Sequence, residues 1–151
     1  MRIRFALLIV GLAVALGAVS PASAGTGGRS LSTTLTGAEE FPDPGDPDAT
    51  GQANLKLNQG KERVCFDVSW AGIDGTVFAG HIHVGDPGVA GPIVVTLFTG
   101  SFAGTDAVID CVTNVDRSLI KAIRKDPSDY YVNVHSTPNF PGGAVRGQLG
   151  D

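Results

Sequence analysis

The chain is short of the residues that usually announce a chemistry. It has two cysteines, three histidines, one tryptophan and one methionine in 151 residues. Neither Cys65 nor Cys111 sits in a Cys-x-x-Cys pair, which argues against a zinc ribbon or a dithiol redox centre. There is no Gly-x-Ser-x-Gly elbow, so no serine nucleophile can be named. Eleven basic residues stand against fifteen acidic ones, for a formal charge of −4, and they form no cluster in the body of the chain. A nucleic-acid or anionic-membrane partner is therefore not expected. Asp43, Asp46 and Asp48, with Glu39 and Glu40, lack the spacing of an EF-hand and read as a solvated acidic turn. Gly85-Asp86-Pro87-Gly88 and Gly91-Pro92 are turn chemistry, because no helix with a free N-terminus follows to cradle a phosphate. No internal repeat and no domain linker is visible.

One apolar run is present, Phe5 to Val19. It follows Arg2 and Arg4 and leads to Ala22-Ser23-Ala24. A positive start, a short apolar stretch and a small-residue site are the pattern of an export signal. Residues 1–24 are expected to be removed, leaving a flexible leader at 25–30 and one domain over 31–151. Loss of Arg2 and Arg4 takes the formal charge from −4 to −6. The run is short for a membrane span and lacks basic residues just after it, so no anchor is expected after cleavage. The reading is a soluble protein, secreted or periplasmic. About 127 residues are enough for one real core. In such a compartment Cys65 and Cys111 are expected to pair, with free thiols or metal ligation as alternatives. A bridge would be worth about 3–4 kcal/mol.

Hydrophobic alternation divides the rest into short strands separated by Gly- and Pro-rich turns. Strands are expected at Leu31–Thr36, Thr50–Asn58, Arg63–Trp70, Thr76–Val84, Pro92–Phe98, Tyr130–Ser136 and Ala144–Leu149. Gly100 to Val115 reads as an irregular segment lying over the body of the domain. Asp116–Lys125 is the one helix, with Asp116 as N-cap, Leu119, Ile120 and Ile123 as its apolar stripe and Asp126-Pro127 as its end. This pattern predicts an all-β domain, an antiparallel β-sandwich or small Greek-key barrel with one short helix near 116–125.

The best lead to function is the placing of the histidines. His81 and His83 stand at i and i+2 of one strand, so they share a face about 6.8 Å apart. His135 lies in a second strand. Parity puts Phe78, Gly80, Ile82 and Val84 on the core side of the first strand and His81, His83 and Ala79 on the other. Val132 and Val134 face the core in the second strand, which turns Tyr131, Asn133 and His135 away. On the last strand Val145 and Leu149 face inward, and Arg146 and Gln148 outward. His81, His83, Asn133, His135, Arg146 and Gln148 are thus expected together on one polar sheet face. Three neutral imidazoles are a ligand set for copper or zinc. Arg146 argues against a cation close to its head group and would suit an anion or a carboxylate. The alternative is cross-strand hydrogen bonding with no ion.

Two blocks carry a resemblance over about Ser32 to Leu149. They are His81-Ile82-His83-Val84-Gly85-Asp86-Pro87-Gly88-Val89-Ala90-Gly91-Pro92-Ile93-Val94, and Tyr130–Ser136 with Pro141-Gly142-Gly143-Ala144-Val145-Arg146-Gly147-Gln148-Leu149. Together they resemble the CHRD domain, found in chordin, an extracellular antagonist of growth factors, and alone in secreted bacterial proteins. The resemblance implies an extracellular all-β domain. It supplies no catalytic set, so His81, His83, Asn133, His135, Arg146, Gly147 and Gln148 transfer as a pattern without roles. His81-Ile82-His83 with Gly85-Asp86 is also similar to the copper-zinc superoxide dismutases. Those enzymes need a fourth copper histidine and a histidine-rich zinc loop, and this chain has no further histidine, so dismutase activity is not expected. The leading expectation is a non-enzymatic extracellular or envelope module binding a protein, a glycan or a metal ion. The second is a three-histidine protein that stores, carries or uses copper or zinc.

Overall fold

The computed structural model describes residues 28–150. The expected signal at 1–24 and the first residues of the leader lie outside them. Eight strands form one antiparallel sheet that curls into a nearly closed barrel: β1 (Arg29–Thr36), β2 (Thr50–Asn58), β3 (Arg63–Ala71), β4 (Thr76–Val84), β5 (Ile93–Thr99), β6 (Ala107–Thr113), β7 (Tyr130–Thr137) and β8 (Val145–Gln148). Their order across the sheet is β5-β4-β7-β8-β1-β2-β3-β6. The all-β expectation holds in its barrel form. Curling brings the edge strands β5 and β6 together and encloses the apolar faces, as alternation requires.

Leu55, Leu57, Val64, Phe66, Val68, Trp70, Ile82, Val95, Phe98, Val132, Val134 and Val145 fill the interior. Trp70 stacks on Phe98 at 5.9 Å between ring centroids, and Phe66 lies 6.0 Å from the same ring. The helix α1 (Arg117–Lys125) adds Ile120 and Ile123, both fully buried, to this core. Asp116 caps it as expected, accepting from the amides of Ser118 and Leu119 at 2.8 and 2.9 Å. Those are two of the four donors that a helix start leaves unpaired.

Two sequence expectations change. The segment expected to be irregular contains β6, an edge strand paired along its length with β3. Ile109 and Asp110 are exposed, so its alternation carries no clear inside and outside. Cys65 and Cys111 are direct cross-strand partners in that pair, and their sulphurs are bonded. The second change is in β4. A β-bulge between Val77 and Ala79 leaves Phe78 without a partner on β7. An extra residue reverses strand parity. Val77 and Ile82 therefore both face the core, and Phe78, expected there too, turns to the outer side and lies 5.9 Å from the ring of His135.

Candidate metal centre

The outer face of β4, β7 and β8 does not meet solvent as an open polar sheet. The turn after β4 and the loop before β8 fold over it. His81, His83 and His135 are each 8 % exposed, Asn133 3 % and Arg146 1 %. This is a second buried layer, polar where the barrel interior is apolar.

Register brings the histidines together. His83 pairs with Tyr131, His81 with Asn133 and Ala79 with His135 across the β4–β7 ladder. One ring nitrogen from each of His81, His83 and His135 lies within 4.8 Å of the others. His81 Nδ1 and His135 Nε2 are 3.0 Å apart. Two nitrogens bound to one ion at 2.0–2.1 Å, at angles of 90–110°, would be about 2.9–3.4 Å apart. That pair already has the required spacing, and a shared ion would draw a pair at the 4.8 Å limit in by about 1.4–1.9 Å.

The proton positions follow from the partners. His83 Nδ1 faces the Gly91 carbonyl at 2.8 Å, and His135 Nδ1 faces the Pro141 carbonyl at 3.1 Å. A carbonyl only accepts, so both Nδ1 atoms carry hydrogen and both Nε2 atoms present lone pairs when the rings are neutral. His83 Nε2 is buried with no hydrogen-bond partner among the described residues. His135 Nε2 faces the Asn133 side-chain oxygen, another acceptor, at 3.0 Å. Protonation would relieve this crowding, but the surroundings oppose it. Burial pushes His81 down to about 4, helped by the neighbouring His135 and His83. Burial likewise lowers His83 and His135. At neutral pH the three rings are uncharged; the Nε2 lone pairs of His83 and His135 face the cluster, and His81 Nδ1 donates its hydrogen to His135 Nε2, a hydrogen bond that metal binding would replace.

The other outward residues build the wall. Tyr131 stacks flat on His83, with centroids 4.8 Å apart and planes 9° from parallel. Arg146 lies over the far side of the Tyr131 ring, 3.4 Å from its centroid. The guanidinium donates to the carbonyls of Val89 and Asp86 and to Gln148 Oε1. Gln148 in turn donates to the carbonyls of Gly85 and Ser128. Arg146 and Gln148 thus fasten the turn after β4, and a tyrosine ring separates the cation from His83. Tyr131 was not singled out as part of the site by sequence reasoning, although its parity matches that of Asn133 and His135. The carbonyls of Gly91 and Pro141 carry no side-chain signal at all.

Glu40 was grouped with the acidic turn. It is half-buried, with Oε1 enclosed and unpartnered among the described residues. Its side chain lies against Gly45 and Gly143. A Cβ at Gly143 would stand 2.4 Å from Oε1, and one at Gly45 2.7 Å from Cγ. Burial raises its carboxyl to about 7, against the pull of Arg146 and a hydrogen bond from the Phe41 amide. Asp46, from the same turn, is 2 % exposed and accepts from the amides of Asp48 and Asp74. Its carboxylate ties loops together.

Compared with known protein families, residues 31–149 match the CHRD domain, and the chain belongs to that family. No curated protein and no solved structure matches it.

Proposed function

We propose that this CHRD domain is an exported, non-enzymatic binding module whose ligand is a transition-metal ion held by His81, His83 and His135. One observation carries the reading: the buried Nε2 of His83 has no partner among the described residues, while its Nδ1–H is committed to a carbonyl. A buried lone pair left unmet costs free energy, and native structures keep such atoms for a reason. His135 repeats the arrangement, with Nδ1 on a carbonyl and Nε2 turned toward the cluster. A backbone carbonyl on the distal nitrogen is how metal-ligating histidines are commonly oriented. Export rests on the N-terminal residues and agrees with a Cys65–Cys111 bridge.

The test is metal content of the protein recovered from a host that exports it. Expected is close to one copper or zinc per chain, lost in His83→Ala and His135→Ala. Wild-type protein that neither carries copper or zinc nor takes them up when they are added would end the proposal.

A further inference from the structure

The donors that converge on the candidate centre are all uncharged. They are three imidazoles, with the Asn133 amide oxygen beside His135. No carboxylate or thiolate among the described residues belongs to the group. Behind its wall stands a positive charge. Arg146 lies on Tyr131, and Tyr131 lies on His83. The rings that bear the ligating atoms are more than nine-tenths buried.

Charge then decides between ions. The cost of moving an ion out of water scales with the square of its charge, so a dication costs about four times as much as a monocation of equal size. Nothing in the ligand set offsets the second charge. The two stacking distances place Arg146 roughly 8–9 Å from an ion at His83 Nε2. At an effective dielectric of about 20, the extra unit of charge weakens binding by about thirtyfold through Arg146 alone. A divalent zinc site with three neutral ligands ordinarily completes its sphere with water. Here the Asn133 amide oxygen, itself uncharged, stands beside His135.

We infer that the centre is built for monovalent copper. This rests on the metal reading above and narrows it: three neutral nitrogens, a buried setting and an adjacent fixed cation favour Cu(I) over Zn(II). Arg146 acts as a positioning and charge-setting residue with no bond to the ion.

The experiment measures both affinities on the exported protein. Cu(I) is titrated anaerobically against a chromophoric Cu(I) chelator, and Zn(II) against a zinc chelator. Expected is one Cu(I) per chain, with Zn(II) bound at least about thirtyfold more weakly. Arg146→Gln should narrow that preference by about the same factor, and Arg146→Lys should keep most of it. X-ray absorption of the wild-type copper form should show Cu(I) with nitrogen donors only. Histidine-dependent Zn(II) binding as tight as Cu(I) would overturn this inference and leave the metal site standing. Failure of wild type to hold either ion overturns both. If Arg146→Gln does not fold, the wild-type affinity ratio still decides.

Discussion

Glu40→Gln should make the metal-free protein more stable at alkaline pH and leave it nearly unchanged in acid. In the fold the carboxyl is raised from 4.5 to about 7, chiefly by burial. Between these values the folded chain keeps a proton that the unfolded chain has lost. A raised carboxyl therefore contributes stability that is full below about 4.5 and lost as pH rises through about 7. Above that, the folded protein holds a half-buried carboxylate beside Gly143, with one oxygen unpartnered among the described residues. The gap corresponds to about 3.4 kcal/mol at a pH above both values. Water reaching the half-exposed side chain screens part of it, leaving roughly 2 kcal/mol. Glutamine keeps the shape and removes the charge. Urea unfolding with a chelator present, at about pH 8 and about pH 4.5, isolates the effect as a difference of differences. The gain at pH 8 should exceed that at pH 4.5 by about 2 kcal/mol. Equal gains at both pH values, or a loss at pH 8, would refute the assignment of Glu40 as a buried, easily protonated acid.

His81 predicts the opposite slope. It is held at about 4 against 6.5 in the open chain, so its contribution is full above about 6.5 and lost as pH falls toward 4. Acid unfolding of metal-free His81→Gln should show a shallower loss across that window. Removing the Cys65–Cys111 bridge in a double alanine variant should cost about 4 kcal/mol in urea unfolding, since the cross-link spans 46 residues. Gly80→Ala should destabilise by about 1–3 kcal/mol, because the new Cβ would stand 2.4 Å from the Phe98 ring. Thermal unfolding of that variant checks it. Asp116→Ala should cost about 1 kcal/mol, read from helical circular dichroism on urea unfolding.

Much of the barrel was legible because most of its strands have one wet or polar face and one apolar face. β3 is the clearest case: Val64, Phe66, Val68 and Trp70 point inward, and the residues between them do not. β6 was missed for the converse reason. An edge strand with both faces largely open writes no period into its sequence. The histidine face could be assigned because His81, His83, Asn133 and His135 lie beyond the bulge, where parity runs unbroken. Its burial was not legible. That comes from the turn after β4, held by Arg146 and Gln148, and from the loop before β8, held by His135, all through backbone carbonyls, which any residue supplies. The protonation pattern was hidden for the same reason, since Gly91 and Pro141 act through their main chain. Phe78 shows the limit of counting by twos: one inserted residue moved it from the expected core to the site.

The bulge also sets where β4 tolerates shortening. Losing one residue from a regular strand exchanges inner and outer side chains along everything that follows. At Phe78 the chain has a residue that no partner on β7 opposes. Its deletion would join Val77, facing in, directly to Ala79, facing out, and leave Gly80, His81, Ile82 and His83 in phase. The same excision at Ala79 or Gly80 would remove a paired residue. The strand thus contains one position at which a residue can be lost without turning the histidines over, at the cost of the hydrogen bond from the Gly100 amide to the Phe78 carbonyl.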